Sequence, residues 1–301
     1  MNFADYARTY LDAIRGDVKP STAAQYEYLA HMLDKYIGKT ELDQFDTRKL
    51  QWLADALAEY GMKKRSVSGV LVFTRMVLRH AMKSGETPVV VFDKIRNKAM
   101  RTYNDRPCLN DTEFAQLVGY CNNHPQKRGS VAVMLALYAG LRIGEIAALQ
   151  WDDVSISHGI ITVKRTRQRI YSYHGKSSVV DGPPKSATSR RIVPVAASLR
   201  SVLESCRNNF PQARFVASSL PNGTEPRQLR IHMEAIMEEA GIEKINPHAL
   251  RHTFISRAIN GGGNIKAVSE LAGHADAKIT LNIYTHASET SKKQAVECID
   301  I

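Results

Sequence analysis

The stretch from Asn246 to His286 contains three short patterns that bring phosphate-handling side chains close together in sequence. These patterns are Asn246-Pro247-His248-Ala249-Leu250-Arg251-His252, Leu271-Ala272-Gly273-His274 and Asn282-Ile283-Tyr284-Thr285-His286. Pro247 fits the first position of a helix. On that helix His248 and Arg251 share one face, because they lie three residues apart. A side chain that can transfer a proton and one that can bind phosphate in a bidentate manner should therefore point to the same place.

Two structural interpretations of these residues require no catalysis. His248 and His252 lie four residues apart, a spacing that can bind zinc on a helix. However, Ala249 stands where a His-Glu-x-x-His site has its glutamate, and Arg251 would add a positive charge beside the metal. A single tyrosine such as Tyr284 is more often a packed aromatic residue than a nucleophile. We therefore expect no metal site. We expect Tyr284 to be catalytic only if the other residues that its chemistry requires are also present.

An earlier pattern, Gly140-Leu141-Arg142-Ile143-Gly144-Glu145, places an arginine between apolar residues. An arginine in such a position needs an anionic partner if it is buried. Glu145, three positions after Arg142, can be that partner. The structural interpretation is an ion pair alone. The functional interpretation, which we favour, is that Glu145 orients Arg142 toward a phosphate.

A strongly basic stretch follows a predicted β-hairpin. The hairpin consists of Asp153-Val154-Ser155-Ile156, a turn at His158-Gly159, and Ile160-Ile161-Thr162-Val163. From residue 164 to residue 191 there are eight basic residues and one acid, a net charge of +7. A solvated hairpin is the simpler interpretation, but uncompensated repulsion of this density favours a bound polyanion. The basic residues are Lys164, Arg165, Arg167, Arg169, Lys176, Lys185, Arg190 and Arg191, and the acid is Asp181.

Six residues of these patterns occur in one characteristic order along the chain. The sequence therefore resembles the tyrosine recombinase (phage integrase) family, which includes integrases and Xer-like recombinases. The resemblance is strong from about residue 108 to residue 286 and weak over the N-terminal region. One departure is Ala272, which stands where a larger apolar residue is common before Gly-His. The six positions are Arg142, Lys185, His248, Arg251, His274 and Tyr284.

The resemblance implies a role for each of these six residues in cutting DNA without metal or cofactor. Tyr284 would attack the phosphorus and form a 3′-phosphotyrosyl ester. Arg142 and Arg251 would clamp the phosphate. Lys185, at the tip of a β-hairpin, would protonate the leaving 5′ oxygen. His248 would exchange a proton with Tyr284, and His274 would donate a hydrogen bond to the phosphate.

The family also implies a mainly α fold with a small antiparallel β-sheet. We expect a four-helix, SAM-like core-binding domain over residues 1–84, a linker over 85–107, and a catalytic domain with a C-terminal tail over 108–301. Basic residues on and before the fourth helix suit a phosphate track, although a solvated helix face is the simpler interpretation for each alone. The expected DNA contacts are Lys63, Lys64, Arg65, Arg75, Arg79, Lys164, Arg165, Arg167, Arg169, Arg190 and Arg191.

The bulk properties agree with a cytoplasmic protein of bacterial or phage origin that associates with DNA, although charge alone does not separate DNA from RNA or anionic lipid. The net charge of +11 favours a polyanionic partner. The four cysteines lack paired spacing and indicate reduced thiols. No apolar run approaches the ~20 residues needed to span a membrane. The expected partners are double-stranded DNA with short inverted repeats, a homotetramer in the synaptic complex and an accessory DNA-bending protein. Because the first helix begins close to Met1, we expect no additional arm-site-binding domain.

Three functions compete at this point. The first is a site-specific recombinase that integrates, excises, inverts or resolves DNA. The second is a type IB topoisomerase, which shares the chemistry but acts alone on one duplex. The third is a non-catalytic DNA-binding protein of the same fold. The compact N-terminal helical region favours the recombinase over the topoisomerase, and retention of all six candidate catalytic residues argues against the non-catalytic protein.

Overall fold

A computed structural model describes residues 1–89, 92–100, 108–171, 177–183, 189–243 and 245–274. The chain forms two compact units. One comprises Met1–Asn104 with Ile170–Ser178, and the other comprises Asp105–Arg169 with Val179–Ile301. Among the described residues, no helix combines the length and the apolar character that crossing a membrane requires.

The first unit is built on four helices around an apolar core. Leu33, Leu50 and Leu53 are completely buried in this core. Local signals set where the helices start: Asn2 caps α1 by accepting a hydrogen bond from the backbone N–H of Asp5. The four helices expected for this domain are present, as α1 (Phe3–Ile14), α2 (Pro20–Ile37), α3 (Thr47–Glu59) and α4 (Lys64–Lys83).

The described part of the expected linker packs against these helices. The side chain of Gln51, on α3, accepts a hydrogen bond from the backbone N–H of Arg96 at 2.8 Å and donates one to its carbonyl at 2.9 Å. The side chain of Asn97 donates to the carbonyl of Lys64, on α4, at 2.8 Å. Ala99 is buried in the same core. Residues 92–100 are thus a fixed part of the first unit.

The second unit is organised around a helix that is buried on nearly every side. This helix, α6 (Arg128–Ala139), packs against α5, α8, α9 and α10. Gly129 lets α9 approach closely, since a Cβ there would clash with the carbonyl oxygen of His232. The other helices are α5 (Asp111–Asn123), α7 (Ile143–Ala148), α8 (Ala197–Asn209), α9 (Pro226–Glu239), α10 (Pro247–Asn260) and α11 (Ile265–Ala272).

A small antiparallel sheet completes the second unit. Strands β1 (Val154–Ser155) and β2 (Ile160–Val163) form the predicted hairpin, and β2 also pairs with β5 (Arg191–Pro194). In this register Val163 lies opposite Arg191. A separate two-stranded sheet consists of β3 (Thr166–Ile170) and β4 (Ser178–Gly182). The expected fold class, mainly α with a small antiparallel sheet, is confirmed.

Candidate active site

The N-terminus of α7 brings Arg142 and Glu145 together. The Glu145 carboxylate accepts hydrogen bonds from the backbone N–H of Arg142 at 2.9 Å and from Arg142 Nη1 at 2.8 Å. The Glu145 side chain is buried, whereas that of Arg142 is 34% exposed. The ion pair expected from their spacing is therefore present, and the guanidinium of Arg142 retains access to solvent.

Helix α10 carries His248, Arg251 and His252. Its first turn is set by Asn246, which accepts a hydrogen bond from the backbone N–H of His248 at 3.0 Å. Arg251 is 1% exposed and donates hydrogen bonds to the carbonyls of Gly140 and Ala272. Arg251 thus joins the end of α6, where Gly140 adopts φ +60°, to the end of α11.

The C-terminal end of α11 collects three arginine side chains on three successive carbonyls. Arg191 donates to Leu271, Arg251 to Ala272 and Arg142 to Gly273. Carbonyls at this end of a helix lack partners within the helix and form the negative end of its dipole, so cations are stabilised there. The next residue in the chain is His274. Positions 142, 251 and 274 of the predicted set therefore meet at one helix end.

The two candidate catalytic histidines are held in the neutral form. Desolvation by surrounding protein atoms, followed by the positive charge of His252 and Arg251, lowers the pKa of His248 to about 4. Burial, followed by the charges of Arg251 and Arg142, lowers the pKa of His274 to about 4. The rings of His248 and His252 meet edge to face, with centroids 4.7 Å apart. At neutral pH both rings are therefore uncharged, and each has one ring nitrogen that can accept a hydrogen bond.

Two regions of the chain match models of known protein families. Residues 107–291, more than half of the chain, match the family model described as the phage integrase family. Residues 2–58 match the model for the phage integrase N-terminal SAM-like domain. The chain belongs to the phage integrase family. The resemblance inferred from six residues in order is confirmed.

Several relatives of this phage integrase family member are named tyrosine recombinases. The chain is 24% identical to a "Tyrosine recombinase XerC-like" of Caldanaerobacter subterraneus, over all of this chain and 83% of the relative. It is 26% identical to "Tyrosine recombinase XerC" of Pseudomonas fluorescens, over 89% of this chain and 86% of the relative. It is 25% identical to the "Prophage integrase IntR" of Escherichia coli, over 74% and 58%.

Solved structures of integrases have the same fold. The Tn1549 transposon integrase in complex with transposon right end DNA matches with a TM-score of 0.79 at 19% identity, over all of both chains. A lambda integrase tetramer bound to a Holliday junction matches with a TM-score of 0.66 at 15% identity, over 92% of this chain and 78% of that one. These likenesses extend the fold assignment over both units.

Arg191 belongs to this site in a way that sequence reasoning missed. It was expected to contact DNA, but its side chain is 6% exposed and pairs with both oxygens of Glu145. Strand alternation contained the signal, since Arg191 lies two residues before the buried Val193 and beside Ile192, which is 60% exposed. Because side chains two residues apart on a strand lie on the same face, a Val193 that faces the core predicts that Arg191 also faces the core.

Several cations of the basic stretch are paired with acids, one within the stretch and two from other parts of the unit. Arg167 is buried and pairs with both oxygens of Asp181 at 2.7 Å, while its guanidinium also stacks on the Phe215 ring. Lys164 and Arg165 both pair with Asp153, and Arg169 pairs with Glu225. Asp153 and Glu225 therefore reduce the excess positive charge of the stretch without removing it. Arg167 and Arg191 leave the DNA-facing set because buried, paired guanidiniums have little surface to offer a phosphate.

The expected contacts on α4 and at the residue before it have different environments. Lys63, Arg65 and Arg79 are exposed, and Lys64 is half-buried. Arg75 is also half-buried, and its Nη2 donates a hydrogen bond to the carbonyl of Asp93 at 3.0 Å. The exposed positions keep their cationic ends in solvent, where a phosphate backbone could reach them.

Two residues of the predicted set, Lys185 and Tyr284, lie outside the described residues. Arg190 lies within them and is exposed at the start of β5. Among the described residues, no group of three or more His, Cys, Asp or Glu side chains has an arrangement that could hold a metal ion. His248 and His252 accordingly have no third ligand there.

Proposed function

We propose that this chain is a site-specific DNA recombinase that cuts and rejoins DNA through a 3′-phosphotyrosyl intermediate. The observation that carries the proposal is the convergence of Arg142 and Arg251 on the last carbonyls of α11, immediately before His274, in a chain of the phage integrase family. Arg142 and the neutral imidazole of His274 would contact the phosphate of a DNA strand there, and the buried guanidinium of Arg251 would add positive charge behind them.

Arg142 and Arg251 would stabilise the charge that develops on the non-bridging oxygens. Arg142 uses Nη1 for Glu145 and Nη2 for Gly273, two of its five N–H groups. Within the described part of the chain, three N–H groups therefore remain for an incoming phosphate. Arg251 lies deeper and is fixed by two backbone carbonyls, so it would add positive charge from a fixed position.

The proposed cleavage step transfers the scissile phosphoryl group from the 5′ oxygen of the DNA to the oxygen of Tyr284. The oxygen of Tyr284 attacks phosphorus and passes its proton to His248, whose neutral imidazole has one unprotonated nitrogen. The P–O5′ bond breaks, and Lys185 protonates the leaving oxygen. The products are a tyrosyl 3′-phosphate ester and a free 5′ hydroxyl. Attack of a 5′ hydroxyl from a second duplex on that ester reverses the chemistry and exchanges the strands.

The proposed partner is double-stranded DNA that carries a short inverted-repeat core site. Solved relatives include an integrase dimer on a core site and a tetramer on a Holliday junction. We propose a homotetramer for this chain by the same logic, acting in the cytoplasm with an accessory DNA-bending protein. Exposed cations at Lys63, Arg65, Arg79 and Arg190 would contact phosphates.

Strand exchange between two duplexes tests the proposed function. Purified protein would be incubated with a supercoiled plasmid that carries two candidate core sites and with a matched plasmid that has none. We expect recombinant products from the first plasmid only and none from Tyr284→Phe protein. Relaxation of both plasmids without recombinants would indicate a topoisomerase, and binding without either product at every candidate site would indicate a non-catalytic protein.

A further inference from the structure

Arg191 is a buried arginine whose bonding partners all lie inside the second unit. Nη1 and Nη2 donate to the two oxygens of Glu145 at 3.2 and 2.9 Å, and Nε donates to the carbonyl of Leu271 at 2.5 Å. Nη1 also donates to the carbonyl of Ser189 at 3.1 Å. With 6% of the side chain exposed, this guanidinium has almost no surface for a DNA phosphate. Its charge must act inside the protein.

Arg191 and Arg142 share the same carboxylate. Oε1 of Glu145 accepts from Nη1 of both arginines, and Oε2 accepts from Arg191 Nη2 and from the backbone N–H of Arg142. The group therefore holds two positive charges and one negative charge. Glu145 and Arg191 are the two buried members, at 2% and 6% exposure, whereas Arg142 is 34% exposed. The buried pair neutralises itself, and the excess positive charge remains on Arg142.

Arg191 also fixes the end of α11. Its Nε holds the carbonyl of Leu271, two residues before Gly273, whose own carbonyl accepts from Arg142 at 2.6 Å. Through these bonds strand β5 is tied to both α7 and α11. One side chain therefore sets the position of Arg142, through Glu145, and the position of His274, through the helix end.

We propose that Arg191 is a positioning residue for DNA cleavage. Its guanidinium neutralises the negative charge of Glu145, so that this carboxylate orients Arg142 without cancelling the positive charge of Arg142. Arg191 also holds the end of α11 that precedes His274. This inference rests on the proposed function, because the phosphate that Arg142 would bind is the substrate of that reaction.

Loss of Arg191 should alter the chemical step more than DNA binding. Without its guanidinium, Glu145 would have Arg142 as its one remaining cation, and the pair would neutralise the charge intended for the phosphate. Arg142 would also be drawn toward the buried carboxylate. Displacements of about 1 Å at a reacting centre can reduce rates by about a hundredfold. The duplex would still meet the same exposed cations.

The test measures covalent adduct formation and DNA binding for Arg191→Gln and Arg191→Lys. Single-turnover rates would be taken with saturating nicked DNA, and Kd would be followed over a range of salt concentrations. We expect cleavage to slow about 10- to 100-fold in Arg191→Gln, with an unchanged salt slope of binding. Arg191→Lys should recover part of the rate, because it keeps the charge but loses the two-pronged geometry.

A neutral substrate separates the positioning role from general damage to the fold. A methylphosphonate at the scissile position removes the negative charge that Arg142 would stabilise. The rate deficit of Arg191→Gln should therefore be smaller on this substrate than on phosphate. Arg190→Gln is the matched charge control, since it removes a neighbouring charge from an exposed position and should change the salt slope of binding.

Circular dichroism and thermal unfolding identify which variants fold. If Arg191→Gln does not fold, the cleavage rate of Arg191→Lys tests the inference. Folded variants that cleave at the wild-type rate would overturn the inference. A deficit confined to Kd, with a shallower salt slope, would make Arg191 a phosphate contact instead. Equal deficits on both substrates would reduce its role to stability. If the wild-type protein itself forms no adduct with any DNA, the proposed function has failed rather than this inference.

Discussion

Arg142 Nη2 donates a hydrogen bond of 2.6 Å to the carbonyl of Gly273, which lies 131 residues further along the chain. Gly273 ends α11 with φ +62°, a left-handed conformation. A Cβ at this position would lie 3.0 Å from Arg191 Nη1 and 3.4 Å from Arg142 Nη1. The glycine thus allows two guanidiniums to approach one helix end that leads into His274.

Replacing Gly273 with alanine should impair catalysis beyond its effect on stability. The left-handed backbone costs a non-glycine residue about 1–2 kcal/mol, and the new methyl group must also displace Arg191 or Arg142. We expect adduct formation with saturating DNA to slow by about tenfold or more. Single-turnover cleavage and thermal unfolding, measured on the same protein, would separate the two effects.

Gly262→Ala is the control for that substitution. Gly262 has φ +86°, but a Cβ there would meet no atom within 4 Å. It should lose similar stability and retain the wild-type cleavage rate. If both variants slowed cleavage equally, crowding of the arginines would not be the cause.

Stability should fall on acidification because two site histidines are neutral in the folded state. The pKa values of His248 and His274 are lowered to about 4, against ~6.5 in an unfolded chain. Below pH ~6.5 the unfolded chain binds protons that the folded chain does not. The contribution of these histidines is therefore fully present above pH ~6.5 and is lost as pH falls toward 4.

Urea unfolding at several pH values from 7 to 5 checks this dependence. We expect the free energy of unfolding of the wild-type protein to decrease across the range. His248→Gln and His274→Gln should each have a shallower decrease, because they remove one proton uptake. Identical slopes in all three proteins would contradict lowered pKa values at these positions.

Arg167 should matter for stability and not for DNA contact. Arg167→Gln breaks the pair with Asp181 and the hydrogen bond to the carbonyl of Asn222. We expect a loss of about 3 kcal/mol in the free energy of unfolding and an unchanged salt slope of DNA binding. The control is Arg230→Gln, whose exposed helical pair with Glu234 is worth ~0.5 kcal/mol. A shallower slope without loss of stability would return Arg167 to the DNA-facing set.

The exposed arginines of α4 should contribute to DNA affinity through phosphate contacts. Arg65→Gln and Arg79→Gln should each lower the slope of log Kd against log salt by ~0.9, the value for one neutralised phosphate. Arg8→Gln, which removes an exposed charge paired with Asp5 on α1, should leave the slope unchanged. Fluorescence anisotropy with a labelled core-site duplex provides the measurement. Equal slopes for all four proteins would remove α4 from the proposed DNA interface.

Local features of the fold were predictable because their causes are local in sequence. The start of α5 follows from Asn110 and Glu113, which form a reciprocal capping box. The pair of Arg142 and Glu145 follows from a spacing of three residues. The mainly α architecture and the N-terminal helical domain followed instead from the resemblance to the family.

The remaining features depend on contacts between distant parts of the chain. Arg191 and Glu145 are 46 residues apart, and charge counting treated Arg191 as one more surface cation. The acids that compensate the basic stretch, Asp153 and Glu225, lie outside it and were invisible to a local sum. The carbonyls that accept hydrogen bonds from the arginines belong to the backbone, so the residue types at these positions do not predict the contacts.

Covalent capture on a nicked suicide substrate addresses the proposed chemistry with a single gel. Wild-type protein and Tyr284→Phe would each be mixed in EDTA with nicked DNA that carries the candidate site, then resolved under denaturing conditions. We predict a protein–DNA band with the wild-type protein that persists in EDTA and is absent with Tyr284→Phe. A band that survives in Tyr284→Phe, or no band across several sites and supercoiled plasmid despite tight binding, would contradict metal-free cleavage by Tyr284.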